Sequence, residues 1–156
     1  MTAPAIRRLE SEAEVAAFFP VIRQLRPHLA SPAEWIERWR RQAAEGYRLA
    51  GIGDGDRLAG IADAGDGDRP LALAGYRTCE NLVHGRFLYV DDLVTDEAAR
   101  GGGHGARLMA WLKAEGQALG CARLVLDTPL ANVLGHRFYY RQGLLGAALR
   151  FGAPLG

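Results

Sequence analysis

Four of the five residues from 101 to 105 are glycine, within the stretch ARGGGHGARLM at residues 99–109. Each glycine inside a helix is less favourable than alanine by about 1 kcal/mol, so this concentration beside a helix-forming run needs a reason. The first amides of a helix lack partners within the helix and lie at its positive end, where they bind phosphate. A side chain at Gly103 or Gly105 would occupy the space that the phosphate needs. The stretch therefore predicts a phosphate-binding helix start.

The glycines alone do not identify the ligand that carries the phosphate. Residues 101–106 also match the dinucleotide-binding pattern G-x-G-x-x-A, and Asp127 lies about 20 residues further on at a predicted strand end. Two features count against a dinucleotide. The segment TDEAAR separates the strand ending at Val94 from the glycines, and only about 50 residues remain for the further strand–helix units of that fold. No Gly-Lys-Ser/Thr sequence follows the glycines, which excludes a P-loop NTPase.

Two adjacent carboxylates, Asp91 and Asp92, lie inside the predicted strand RFLYVDDLV. A carboxylate within a strand is unfavourable unless it is solvated, ion-paired or functional. Either residue could take a proton from a substrate as a general base, or orient that substrate. Because side chains alternate along a strand, the two are expected on opposite faces, with at most one in a given cleft.

The elements that must position these residues follow the order β-α-α-β-β-β-α-β-α-β. Apolar periodicity and capping signals predict helices at residues 11–25, 31–46, 106–120 and 132–143. Strands are predicted at residues 5–10, 47–53, 70–77, 86–94, 121–128 and 144–151. Pro20 is expected to kink the first helix or to end its regular part. The order predicts a mixed sheet flanked by helices.

A short repeat, GDGDR, occurs at residues 53–57 and again at 65–69. Asp-Gly pairs favour tight hairpin turns, so the repeat predicts an added strand between two turns. The run lacks the spacing and the terminal glutamate of a calcium-binding EF-hand loop.

Composition and charge restrict the class of protein. The 156 residues suit a single domain, 1–156, and their net charge of +1 argues against nucleic acid as the main partner. No apolar run is long enough to cross a membrane, and the charged N-terminal residues do not resemble a signal peptide. The two cysteines form neither a disulfide framework nor a zinc cluster, and no histidines have metal-ligand spacing. We expect a cytoplasmic protein without a metal.

Two motifs together resemble the GNAT superfamily of N-acetyltransferases. Arg100, Gly103 and Gly105 match its acyl-CoA signature [Q/R]-x-x-G-x-[G/A], which lies between a strand and a helix. Downstream, NVLGHRFYYRQGL matches the family pattern of an asparagine, Phe-Tyr six and seven residues later, and a glycine. The chain has Gly135 where the family usually has alanine. The resemblance covers nearly the whole chain and implies an α/β (α+β) fold, with a mixed, mostly antiparallel central sheet of about six to seven strands and about four helices.

The resemblance implies that acetyl-CoA is the cosubstrate and assigns roles to individual residues. The backbone amides of residues 101–106 would hold the CoA pyrophosphate, and the backbones of Leu93 and Val94 would pair with the pantetheine arm. A backbone N–H of the same strand would polarise the thioester carbonyl. Tyr139 would protonate the departing thiolate. The cofactor-binding set is thus Leu93, Val94, Arg100, Gly101, Gly102, Gly103, His104, Gly105, Ala106 and Asn132. The catalytic set is Tyr139, Asp91 and Asp92.

The acceptor is the least determined part of the expected reaction. We expect direct transfer of an acetyl group to a primary amine of a small molecule or peptide, in a ternary complex. Residues 26–35 and 77–87 are expected to shape the acceptor cleft, and Asp91, Asp92 and Glu80 together indicate a cationic small amine or peptide amine. A non-catalytic acyl-CoA-binding sensor or interaction module, in which Tyr139 only packs, is the alternative. Strand edges in this fold class often pair, which makes a homodimer compatible with the sequence without requiring it.

Overall fold

The computed structural model describes residues 3–55 and 69–156. The chain divides into two compact units, Met1–Val125 and Leu126–Gly156, which are described separately. The strand predicted between the two copies of GDGDR falls on residues outside the described ranges.

The first unit is built on a sheet whose strands follow one another in chain order. Its strands are β1 (Ile6–Leu9), β2 (Arg48–Gly53), β3 (Pro70–Asn81), β4 (Gly85–Thr95) and β5 (Arg123–Leu126). Strands β1 to β4 pair antiparallel with their neighbours. The start of β5 lies beside the start of β4, because the amide of Ala122 donates to the carbonyl of Arg86 at 2.8 Å. These two strands therefore run in the same direction.

Helices cover both faces of this sheet. On one face lie α1 (Glu12–Ala17), α2 (Phe19–Leu25) and α3 (Pro32–Ala43), whose apolar side chains pack with Leu73 and Val94 in the core. On the other face lies α4 (His104–Ala118), where the Trp111 ring meets the Tyr76 ring edge-on. The apolar stripes predicted from the sequence are thus the buried sides of these helices.

The helix predicted at residues 11–25 is two helices in the structure. It is interrupted at Phe18, and Pro20 lies in the first turn of α2. Proline is tolerated there because the first amides of a helix have no acceptor within the helix. Ser11 and Glu14 form the predicted capping box at the start of α1.

The predicted last strand, residues 144–151, is not formed, and the described residues contain five strands rather than six to seven. Residues 3–55 and 69–156 contain five α-helices where about four were expected, because the first predicted helix divides into two. Apolar alternation specifies the face of a strand but not its partner, and an isolated extended segment has no ladder bonds to hold it. Residues 145–151 are exposed. In the second unit, the helix α5 (Val133–Arg141) forms as predicted.

An ion pair between a buried glutamate and a half-exposed arginine attaches α4 to the sheet. Glu115 of α4 is only 7% exposed and accepts two bonds from Arg8 of β1, at 2.6 and 2.7 Å. The Tyr76 hydroxyl of β3 donates to the same carboxylate at 3.0 Å. Burial and the adjacent carboxylate raise the pKa of Tyr76 to about 12. Every oxygen of Glu115 is therefore paired, which is what makes its burial tolerable.

Candidate active site

The glycine stretch forms a bare backbone turn that leads directly into α4. After the short helical turn Glu97–Ala99, Gly101 has φ +84° and Gly103 has φ +76°, a left-handed conformation that favours glycine. Gly103 is the N-cap, no side chain caps the helix, and the first helical bond runs from the Arg107 amide to the Gly103 carbonyl. The space where side chains of Gly101 and Gly103 would lie is open.

His104, the first residue of α4, folds its ring back over Gly102. A side chain on Gly102 would come within 2.8 Å of the His104 Nε2 atom, so the His104 ring would have to move to admit it. His104 Nδ1 is buried and has no hydrogen-bond partner among the described residues. Gly105 and Ala106, in the same turn, are partly buried.

The two arginines beside the turn differ in their contacts. Arg100 is exposed at the start of the glycine turn, where an anion could reach it. Arg107 donates instead to the backbone carbonyl of Pro4, which holds the N-terminal segment against α4. Of the two, Arg100 is the better placed to meet phosphate.

A β-bulge lies where the two aspartates occur. Gly75 of β3 pairs with Asp92 and the next residue, Tyr76, pairs with Val90, so Asp91 is the extra residue of β4. An extra residue shifts the side-chain alternation by one position. Asp91 and Asp92 therefore lie on the same face, which is the face of α1 to α3. The expectation that they occupy opposite faces was wrong, because strand periodicity does not reveal a bulge.

Around this bulge, two carboxylates contact two guanidinium groups and a tyrosine. Asp92 Oδ1 accepts from Arg26 Nε at 2.8 Å, and its Oδ2 accepts from the Tyr47 hydroxyl at 2.6 Å. Asp91 Oδ2 accepts from Arg77 Nε at 3.0 Å. The Arg77 guanidinium also lies over the Tyr47 ring, 5.3 Å from its centroid. We call these residues, Arg26, Tyr47, Arg77, Asp91 and Asp92, the bulge cluster.

The two carboxylates of the bulge cluster have different environments. Both oxygens of Asp92 are occupied by donors, which suits a structural role. Among the described residues, the Asp91 carboxylate accepts through Oδ2 only, which leaves Oδ1 for a ligand. Burial raises the pKa of the Asp91 carboxyl, against the opposing effect of Arg77. A raised pKa makes this carboxylate a stronger base than an ordinary aspartate.

Leu93 and Val94 follow the bulge near the end of β4. They pair with Ala74 and Leu73 of β3 on one edge of the strand. On the other edge, β5 starts beside Arg86 and is four residues long, whereas β4 has eleven residues. The end of β4 therefore extends past the end of β5, and no strand of the described residues pairs with its backbone on that side.

Asn132 and Tyr139 belong to the second unit. Asn132 caps α5: its Oδ1 accepts from the Gly135 amide at 3.1 Å, and a side chain on Gly135 would collide with this amide group. The Tyr139 ring packs edge-on against Phe138, and burial raises the pKa of its hydroxyl. The neighbouring Tyr140 is 60% exposed.

Sequence reasoning assigned no role to the other members of the bulge cluster. Arg26 and Arg77 stand at the ends of the two segments expected to shape the acceptor cleft, but no motif singles them out. Tyr47 carries no signal beyond strand propensity. Gly75 is the one indirect hint, since a side chain there would overlap the Tyr47 hydroxyl.

Among residues 3–55 and 69–156, no three histidine, cysteine, aspartate or glutamate side chains are grouped so as to hold a metal ion. Nor does any helix in these two ranges have the length and apolarity needed to cross a membrane.

The same architecture occurs in solved structures of acetyltransferases. An acetyltransferase from Trypanosoma brucei has a TM-score of 0.72 at 19% identity, over 97% of this chain and 99% of that one. Glucosamine-6-phosphate N-acetyltransferase from Arabidopsis thaliana has 0.68 at 17% identity, over 99% and 100%. AAC(6')-Iy, bound to the bisubstrate analogue CoA-S-monomethyl-acetylneamine, has 0.76 at 16% identity, over 99% and 100%. At these identities the likeness establishes the fold.

The family of the chain follows from a comparison of its sequence with models of protein families. No curated protein matches the chain. The model described as the acetyltransferase (GNAT) family matches residues 13–144, which include the glycine turn, the bulge and all of α5. The chain belongs to the GNAT family of acetyltransferases, and is an acyltransferase.

Proposed function

We propose that the chain transfers an acetyl group from acetyl-CoA to a primary amine of a small molecule or peptide, by direct attack in a ternary complex. The observation that carries the proposal is the uncapped start of α4 behind a left-handed Gly103. A helix start that lacks a side-chain cap and is open to solvent needs an external acceptor for its amides, and a pyrophosphate supplies one. The backbone of residues 101–106 would bind it, with Arg100 beside it.

The free edge at the end of β4 supports the same ligand. Leu93 and Val94 have their β3 edge occupied and their other edge beyond the reach of β5. An extended pantetheine arm with amide groups could pair there in the manner of an added strand. The bulge lies one residue before this edge, so a thioester attached to the arm would lie near Asp91 and Asp92.

Each catalytic role falls on a residue with suitable chemistry. An alkylammonium has a pKa near 10, so the acceptor must lose a proton before it attacks. Asp91 has an available oxygen and a raised pKa, and we assign it the role of general base; Asp92 orients the site. The Tyr139 hydroxyl is protonated at neutral pH, as a general acid requires, because burial raises its pKa from an ordinary value that is already near 10.

Two wider proposals accompany this function. The protein acts in the cytoplasm, and a homodimer formed through strand edges is compatible with the reaction.

The charges of the bulge cluster bear on the acceptor, since Arg26 and Arg77 balance Asp91 and Asp92. A cationic amine would therefore be attracted less strongly than the two aspartates alone suggest.

Calorimetric titration with acetyl-CoA, CoA and NAD tests the proposal. We expect acetyl-CoA and CoA to bind at micromolar concentration and NAD not to bind. Gly103→Glu should abolish binding by placing a carboxylate where the pyrophosphate lies. Gly120→Glu is the matched control, because Gly120 also has positive φ and open surroundings but follows the opposite end of α4. Binding of NAD without CoA would refute the acyl-CoA assignment.

Replacing Tyr139 separates an enzyme from an acyl-CoA-binding module. Tyr139→Phe should lower kcat by about a hundredfold or more, since a positioned general acid contributes that much, while binding of acetyl-CoA is retained. Tyr140→Phe, the adjacent exposed tyrosine, is the control and should leave kcat unchanged. An unchanged kcat in Tyr139→Phe would show that Tyr139 only packs.

A further inference from the structure

The Arg26 side chain makes two different contacts with the bulge of β4. Its Nε donates to Asp92 Oδ1 at 2.8 Å, and its Nη2 donates to the backbone carbonyl of Asp91 at 3.0 Å. One rigid guanidinium thus holds the carboxylate of one bulge residue and the main chain of the other. A planar fork can fix two acceptors at once, which the single ammonium of lysine cannot reproduce.

The opposite side of Asp92 is held by Tyr47. The Tyr47 hydroxyl donates to Asp92 Oδ2 at 2.6 Å, and its ring lies over Gly75, which is paired with Asp92 in the sheet. Asp92 is 12% exposed and Tyr47 is 5% exposed, so the contact between them is shielded from water, whereas the Arg26 side chain is 43% exposed. A bulge residue held from both sides in this way has little freedom to change its conformation.

Arg26 also lies at the junction between α2 and the loop that leads to α3. It is the C-cap of α2 and begins the loop before α3, which is part of the segment expected to shape the acceptor cleft. The acceptor loop and the bulge are therefore joined by one side chain. Movement of the loop would be transmitted to the main chain of Asp91.

We propose that Arg26 is a positioning residue, which holds the β4 bulge so that Asp91 and the adjacent backbone amides face the reacting groups. This proposal rests on the proposed acetyl transfer. Arg26 does not touch the reacting atoms; it acts through Asp92 and the Asp91 carbonyl. Its contribution is the orientation of the base, for which small displacements reduce rates strongly.

The test compares Arg26→Lys and Arg26→Gln with Arg41→Lys. Arg41 forms an exposed pair with Glu37 at 2.7 Å and is a matched control for the loss of a guanidinium. Amide hydrogen exchange over residues 86–95 should be at least about tenfold faster in both Arg26 variants and unchanged in Arg41→Lys. This readout needs no acceptor and does not depend on the proposed reaction. If one Arg26 variant fails to fold, the other carries the comparison.

Turnover supplies the second readout, on whichever of neamine, glucosamine 6-phosphate, spermidine or a lysine peptide the unmodified protein acetylates fastest. We expect Arg26→Lys to lower kcat roughly tenfold to a hundredfold, while the Kd for acetyl-CoA changes less than about twofold. Unchanged exchange or unchanged kcat would overturn the positioning role. If the unmodified protein neither binds acetyl-CoA nor acetylates any amine, the proposed function fails, and the exchange measurement still decides whether Arg26 holds the bulge.

Discussion

The surroundings of Asp91 change the acidity of its carboxyl group. Its carboxyl is partly buried, and burial raises its pKa above the ordinary value of 3.8 even though Arg77 lies beside it. As a general base it is active only when deprotonated. Activity should therefore decline as the pH falls through this raised pKa, over a range higher than that of an exposed aspartate.

Asp91→Asn tests this assignment through the pH profile of kcat/KM. We expect a loss of about a hundredfold or more at neutral pH and the disappearance of the acidic limb that belongs to Asp91. The comparison is Asp54→Asn, an aspartate at the end of β2 whose carboxylate accepts from the Arg69 amide. A retained acidic limb in Asp91→Asn would assign the base to another group.

Because of Tyr76, the stability of the protein should vary with pH in the alkaline range. In the folded protein its hydroxyl retains a proton up to about pH 12, whereas an unfolded tyrosine loses it near 10.0. Between these values the unfolded state binds fewer protons, so the free energy of unfolding falls as the pH rises.

Urea denaturation from pH 9 to pH 12 measures this effect. Tyr76→Phe should reduce the slope of stability against pH, since phenylalanine has no proton to lose. At neutral pH the same variant leaves Glu115 with one donor fewer and should lower stability by about 1–3 kcal/mol. Tyr140→Phe, at an exposed position, should leave the alkaline slope unchanged. An equal slope in Tyr76→Phe would mean that other groups produce it.

At the level of elements, replacing a glycine by alanine is predicted to have opposite effects on stability in the strand β2 and in the helix α4. A methyl group on Gly51 of β2 would lie 2.5 Å from the Phe18 ring, which is fully buried between the helices and the sheet. A methyl group on Gly116 of α4 would meet Leu88 at 3.6 Å, an ordinary contact.

Gly51→Ala should therefore destabilise the protein by about 1–3 kcal/mol, through overpacking of α1 and α2 against β2. Gly116→Ala should stabilise it by about 0.5–1 kcal/mol, because alanine loses less backbone entropy in a helix. Urea or thermal denaturation measures both. The packing of these elements would need revision if Gly51→Ala were neutral or if Gly116→Ala were strongly destabilising.

For the whole molecule, binding of the cosubstrate should appear as added stability. A ligand that binds only the folded state, at a concentration 100 times its Kd, adds about 2.7 kcal/mol to the free energy of unfolding. For a chain of this size that amounts to a rise of about 5–10 °C in Tm. Thermal denaturation with acetyl-CoA should show this rise, and Gly103→Glu should remove it. An equal rise in Gly103→Glu would place the ligand away from the start of α4.

Local sequence was sufficient for most of the elements and for the glycine turn. Capping residues, apolar periodicity and the concentration of glycines act over a few residues, so the predicted helices and the start of α4 appear where the sequence indicated. The same signals placed Asp91 and Asp92 on one strand. The GNAT family could also be predicted, because each of its two motifs is a short segment whose residues are close together in the chain.

Only the tertiary structure decided what depends on contacts between distant segments. The bulge arises from the register between β3 and β4, and it turns both aspartates to one face, where they meet Arg26, Tyr47 and Arg77. The segment at residues 144–151 has a strand pattern, but it does not form a strand. A strand's register and its partner are set by backbone pairing across the sheet, which short-range sequence patterns do not encode.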